Sequence, residues 1–274
     1  MCRLLGYASR AAEPVAQSLG RANFDEFTSL ARLHADGWGM AWQDSDGGVQ
    51  AQRSPDGATQ DPAYAELSDT ALGRSGLVHL RWATDGLAVA PDNTHPFVDG
   101  NLALAHNGSI SPIPELESLL RPEFRERLVG ATDSERYFRF VTQCVRDAGD
   151  VDAGVVAAVT DLHAAFPQSS LNAVVVAPGR LIAIHVNAMA RGPVDDLREL
   201  YPNEVEAPHG HLDRYFTMAV RSDGERVHIV SSGLRAPGWE PLPESAVLIV
   251  DTDTLEQRTF GIGGTAAVGQ TPVS

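Results

Sequence analysis

Apolar positions recur with two periods along this chain, and their order outlines the elements. A run over 2–9 reads as a strand, after which Leu19, Phe24, Phe27, Leu30 and Leu33 fall at helical spacing and predict a helix over about 15–33. Short strands are expected near 38–43 and 48–53, joined by the turn-forming Asp46-Gly47-Gly48. A helix near 62–72 leads to strands over 76–83 and 101–106. Helices near 134–147 and 151–165 open the second half. Apolar or β-branched runs at 171–177, 180–187, 214–220, 226–232, 245–251 and 254–260 then predict further strands. Strands dominate both ends and the clearest helices sit between them. That order argues against βαβ alternation and for a layered α+β fold with packed sheets covered by helices. The polar stretches at 43–62 and 191–213 read as excursions from one domain, expected to span 2–261, with a flexible tail over 262–274.

Composition narrows the chemistry. The 274 residues are 43% hydrophobic with 25 Gly and 17 Pro, which excludes collagen-like and disordered classes. Acidic residues outnumber basic ones 36 to 21, and a net charge of −15 repels a polyanion, so no nucleic-acid partner is expected. No apolar run approaches the ~18 residues of a membrane span, and Leu4-Leu5-Gly6-Tyr7 is too short for a secretory signal. A cytoplasmic address follows as the expectation. Two cysteines, Cys2 and Cys144, exclude a disulfide framework and a cysteine-built zinc site. The nine histidines show no H-E-x-x-H spacing, and no phosphate-binding glycine loop is present, so neither metal nor cofactor is expected.

Four short segments could carry chemistry, and each also has an ordinary structural reading. Removal of Met1 would leave Cys2 with a free α-amine of pKa about 7.7–8.0 beside a thiol near 8.5, pairing a nucleophile with its own base; otherwise Cys2 is a small residue starting an edge strand. Arg81-Trp82-Ala83-Thr84 ends a predicted strand, where the Arg fork fits a carboxylate, Trp82 could wall a pocket and Thr84 could donate a hydrogen bond. A solvated strand end is the alternative. His106-Asn107-Gly108 reads either as a type I′ hairpin turn or as two oxyanion donors, the Asn107 amide and the Gly108 N–H. Thr132 and Glu135 form a capping box, so Asp133 either favours the helix N-terminus or pairs with an ammonium. The glycines of Asp36-Gly37-Trp38-Gly39 are read as sites of close approach. Cys144, inside a periodic helix, is expected to be a buried structural thiol.

In that order, together with His34-Ala35-Asp36-Gly37-Trp38-Gly39 and Thr94-His95-Pro96-Phe97, these segments resemble the class II glutamine amidotransferases, which are N-terminal-nucleophile hydrolases. The opening Met1-Cys2-Arg3-Leu4-Leu5-Gly6-Tyr7 is most similar to stand-alone members, among them the γ-glutamyl hydrolase of ergothioneine biosynthesis. The likeness covers about 2–138, with a looser Ser231-Ser232-Gly233-Leu234…Trp239 segment beyond it. It implies a four-layer αββα sandwich and attack by Cys2 on a side-chain amide, with Asn107 and Gly108 as the oxyanion hole. It also implies that Arg81 and Thr84 hold the substrate α-carboxylate, Asp133 its α-ammonium, and Trp82 lines the pocket. The implied partner is glutamine or a γ-glutamyl small molecule, with a separate synthase subunit as a possible recipient of ammonia. A non-catalytic glutamine-sensing module of the same fold is the competing expectation. Two departures bear on the leaving amine: Asp85 stands where fused members often carry His, and Ser231-Ser232-Gly233-Leu234 stands where stand-alone members often show S-E-P-L.

Overall fold

The computed structural model describes residues 2–83, 86–187, 189–235 and 237–263. Thirteen strands appear among them, in two antiparallel sheets. In chain order they are β1 (Arg3–Glu13), β2 (Trp38–Gln43), β3 (Val49–Ser54), β4 (Gly73–Leu80), β5 (Phe97–Asp99), β6 (Leu102–His106) and β7 (Ala173–Ala177). There follow β8 (Arg180–His185), β9 (Met218–Ser222), β10 (Arg226–Ser231), β11 (Glu240–Pro241), β12 (Ala246–Asp251) and β13 (Gln257–Gly261). One sheet runs β11-β9-β10-β1-β4-β2-β3 and the other β13-β12-β8-β7-β6-β5.

The sheets face each other across a core that includes Leu4, Ala8, Leu77, Ala105, Val174, Leu181, Ile229 and Val250. Three short helices, α1 (Val15–Leu19), α2 (Arg21–Ser29) and α3 (Pro62–Thr70), cover the outer face of the first sheet through Leu19, Phe24, Phe27 and Tyr64. On the outer face of the second lie α4 (Ile113–Ser118), α5 (Pro122–Arg125), α6 (Asp133–Ala148) and α7 (Val151–Ala165), packed through Leu116, Phe124, Phe138, Val141 and Val159. This is the expected αββα layering. Strand β7 is buried at every position because both its faces are covered, which is why it reads as an unbroken apolar run. Each fully buried Val or Leu in such a strand contributes roughly 1.5–3 kcal/mol.

Several expectations need correction. The single helix over 15–33 is interrupted at Gly20, whose φ of 85° closes α1 and opens α2, and Leu30–Arg32 finishes as a 3-10 turn. Helical spacing survives the break because both helices bury the same side against one sheet. The strand placed at 76–83 starts at Gly73 and stops at Leu80, so Arg81 and Trp82 lie just past its end. The strand expected over 214–220 begins only at Met218, since Tyr215 and Phe216 join Leu197 in a separate apolar cluster. The excursion at 191–213 holds a short helix, α8 (Val194–Leu200), and β5 is too short to have shown a period. Most of the predicted tail lies outside the described residues. No described helix is long and apolar enough to cross a membrane.

Candidate active site

Strand β1 lies between β10 and β4, with Leu5 opposite Val230 on one side and Arg3 opposite Leu80 on the other. Cys2 precedes this strand, 8% exposed, so its backbone position is set by a ladder paired on both sides. The register also places Cys2 beside Arg81, the residue after Leu80. From the opposite sheet, Asn107 follows β6, and its Oδ1 accepts the Cys2 N–H at 2.9 Å. The Cys2 Sγ lies 3.8 Å from the Trp82 carbonyl oxygen.

The Asn107 corner is held by its neighbours. Asn107 N–H donates to the Asn172 carbonyl at 2.7 Å, and its carbonyl accepts the Ser170 hydroxyl at 3.0 Å. Its side-chain Nδ2 is buried and has no acceptor among the described residues. A buried amide N–H without a partner costs about 1–3 kcal/mol unless a ligand completes it. The type I′ turn reading fails here, because neither Asn107 nor Gly108 has a positive φ. Gly108 answers a packing demand: a Cβ there would sit 2.1 Å from the Ser170 carbonyl and 2.7 Å from His106 Nε2. His106 is buried behind the corner, with ring nitrogens 2.9 Å from Ser134 Oγ and 2.8 Å from the Ser170 carbonyl. Burial lowers its pKa, with the Asp133 carboxylate opposing.

Arg81 is buried at the end of β4. Its Nη1 donates to the Asp36 carbonyl at 3.2 Å and its Nη2 to the Ala88 carbonyl at 3.3 Å. Burial lowers its pKa, while the Cys2 and Asp36 charges raise it. Asp36 also accepts the Ala83 N–H at 2.8 Å, so one residue braces the turn that carries Arg81 and Trp82. Trp82 is half-buried and meets the His34 ring edge-on at 5.8 Å. Thr84 lies outside the described residues. Gly39 permits the close approach expected of it, since a Cβ there would lie 2.0 Å from the His95 carbonyl.

Asp133 sits in the first turn of α6 and is 9% exposed. Its Oδ2 accepts the Ile110 N–H at 2.6 Å, tying this helix to the loop that leaves Gly108. Thr132 caps the helix by accepting Glu135 N–H at 3.2 Å, but the capping box is not reciprocal. Glu135 turns its carboxylate to the Val129 and Gly130 N–H groups instead. Cys144 is half-buried rather than buried, and burial with Asp161 and Asp147 pushes its thiol up to about 11. Among the described residues, no three His, Cys, Asp or Glu side chains are grouped to hold a metal ion.

Residues beside Cys2 that carry no motif also shape the site. The Arg3 guanidinium is fully buried, lies 4.0 Å from the Tyr215 ring centroid, and donates to the Ser232 hydroxyl at 2.5 Å. Burial, with the Cys2 charge adding to it and Arg3 opposing, pushes the Tyr215 hydroxyl up to about 12. His211, 5.6 Å from the His34 ring, is held down to about 3 by burial and by Arg3. Asn172, Ser170 and Asp36 act largely through backbone carbonyls or backbone N–H partners, which leave little signal in a sequence.

Comparison with known proteins agrees with this arrangement. The family profile described as class-II glutamine amidotransferases matches residues 1–216. A Pseudomonas syringae glutamine–fructose-6-phosphate aminotransferase is 32% identical over 140 residues, covering 50% of this chain and 22% of the relative. A γ-glutamyl-hercynylcysteine sulfoxide hydrolase from Mycolicibacterium smegmatis is 33% identical over 78 residues, covering 28% of this chain and 34% of the relative. These matches therefore span about a third or less of each relative's length. Among solved structures, a class-II glutamine amidotransferase domain protein from Silicibacter pomeroyi superposes with a TM-score of 0.62 at 17% identity, covering 96% of this chain and all of that one. Glutamine phosphoribosylpyrophosphate amidotransferase from Bacillus subtilis gives 0.60 at 14% identity, over 96% of this chain and 50% of that chain. The two-sheet fold is thus that of the N-terminal-nucleophile amidotransferases. The chain belongs to the class-II glutamine amidotransferase family.

Proposed function

We propose that this chain is a cysteine amidohydrolase that cleaves the side-chain amide of glutamine or of a γ-glutamyl amide. The observation that carries the reading is the Cys2–Asn107 pairing. The nucleophile's backbone nitrogen lies 2.9 Å from Asn107 Oδ1 while the Nδ2 of the same amide is left without an acceptor. With Met1 removed, the α-amine of Cys2 accepts the thiol proton, and Sγ attacks the amide carbon. Asn107 Nδ2 and the Gly108 N–H donate to the oxygen as it gains charge. The C–N bond then breaks, and the leaving nitrogen takes the proton from the α-ammonium. Water adds to the thioester, the amine again acting as base, and glutamate leaves with the thiol restored.

Arg81 supplies the charge for the substrate α-carboxylate, with Thr84 assisting, Trp82 as a wall, and Asp133 as the counter-charge for the α-ammonium. Glutamine as substrate would release ammonia, which a separate synthase subunit could consume; a γ-glutamyl amide would release its amine. The test has two parts. Intact mass should show loss of Met1, and the processed protein should form glutamate from glutamine or from a panel of γ-glutamyl amides, while Cys2→Ala forms none. A processed wild type that binds glutamine and turns over no amide would make the chain a sensing module instead.

A further inference from the structure

We propose that a cationic cleft beside β10 is the subsite for a carboxylate on the leaving amine, so that the chain prefers γ-glutamyl derivatives of amino acids. This inference rests on the amidohydrolase reading above. The cleft, of about 210 Å³, is lined by His209, Arg214, Arg235, Trp239, Ser232 and Leu234, among others. Its lining contains no acidic residue, in a protein whose net charge is −15. Two carboxylates lie close by. Asp213 pairs with Arg214 at 3.3 Å where both are more than half exposed, and Glu26 accepts the Arg235 backbone N–H at 3.0 Å. An exposed pair of that kind leaves most of the cation's capacity for a ligand.

Two groups at this place lack partners. The Trp239 Nε1, in the cleft wall, is buried without an acceptor. Behind Ser232, Arg3 has Nε and Nη2 unpartnered, and among the described residues no carboxylate pairs with its fully buried guanidinium. A buried cation without a counter-charge is costly, and an anion bound next to it recovers part of that cost.

Topology gives the cleft its place in the reaction. β1 carries Cys2 between two strands: β4 runs into Arg81 and Trp82, and β10 runs into Ser232 and Gly233. The pairing of Leu5 with Val230 continues through a 3.0 Å bond from Leu4 N–H to Ser231 Oγ, which sets Ser232 alongside Arg3. Adjacent strands are about 4.8 Å apart, so the cleft begins one strand from the nucleophile. With the glutamyl head group held on the β4 flank, the departing amine is directed to the β10 flank. Leu234 and Trp239 offer apolar surface there, and the arginines offer forks for a carboxylate.

The test compares γ-glutamylphenylalanine with its C-terminal amide, two substrates that differ in leaving-group charge. The expected ratio of kcat/KM, acid over amide, is roughly tenfold or more for the wild type, as for one charge-assisted hydrogen bond. In the double variant Arg214→Met, Arg235→Met, whose side chains are exposed and whose folding a thermal melt checks, the ratio should fall towards one. Ser232→Glu, which puts a carboxylate into the cleft, should lower it as well. A wild-type ratio near one, or a ratio unmoved in the double variant, overturns the subsite and leaves the amidohydrolase reading standing. Hydrolysis of neither compound nor of glutamine overturns both.

Discussion

Replacing Gly108 by alanine tests the proposed oxyanion corner most directly. The added Cβ would lie 2.1 Å from the Ser170 carbonyl oxygen, 2.7 Å from Ser170 Cβ and 2.7 Å from His106 Nε2. An ordinary carbon–oxygen contact is about 3.3 Å or longer, so something must move by about 1 Å. The neighbours have little room to yield: His106 Nε2 lies 2.8 Å from the Ser170 carbonyl, and the Ser170 hydroxyl donates to the Asn107 carbonyl at 3.0 Å. The displacement therefore passes to the Asn107–Gly108 backbone itself. A misplacement of about 1 Å in a catalytic constellation costs on the order of a hundredfold in rate, or about 2.7 kcal/mol of barrier. Overpacking adds about 1–3 kcal/mol of lost stability. The expected result is a folded protein with a lowered melting temperature and a kcat for glutamate formation reduced about a hundredfold. KM should change little, because the Arg81 side of the pocket is untouched. A Gly108→Ala protein that keeps kcat within about twofold of wild type would remove this corner from the mechanism.

Other perturbations address the remaining roles. Asn107→Ala removes the unpartnered Nδ2, and kcat should fall by about 10²–10³; an unchanged kcat would mean that the oxyanion is held elsewhere. Arg81→Lys retains the charge and loses the fork, so KM should rise at least about tenfold, measured by initial rates of glutamate formation, with kcat less affected. Stability should depend on pH through buried neutral histidines. Burial holds His211 down to about 3 and His228 down to about 4, and sets His79 and His95 well below the ordinary value. The unfolded chain takes up these protons as pH falls through about 6.5 whereas the folded one does not, so stability is full above that pH and declines below it, by up to about 1.4 kcal/mol per unit per group. Denaturant midpoints measured from pH 8 to pH 4 should fall steeply below pH 6.5, and a flat profile would contradict the buried neutral state.

Much of the architecture was legible because burial on two faces leaves a plain mark. Runs such as Ala173–Ala177 and Ala246–Val250 could only be interior strands, and α6 and α7 announce themselves through helical spacing and their caps at Thr132 and Asp150. Gly20 escaped notice because Leu19 and Phe24 keep the apolar rhythm across it while packing on the same sheet. Tyr215 and Phe216 looked like strand residues since apolar character says nothing of which cluster receives it. At the site, the motif residues Cys2, Arg81, Asn107 and Asp133 come from both sheets and one helix, and each was visible by type. Their supports were not. Asn172 and Ser170 brace the corner through carbonyl oxygens that any residue could offer, and Arg3 could be read as an ordinary surface cation until its burial was known.

Strand β1 has a consequence for how the thiol moves. Its main chain is laced on both sides from the third residue onward, and the nitrogen of Cys2 is itself tethered to Asn107. What freedom the sulfur retains is essentially rotation about one side-chain bond, a choice among three staggered wells. Orientation of the attacking atom is therefore settled when the polypeptide folds, and little of that entropy remains to be lost at each turnover.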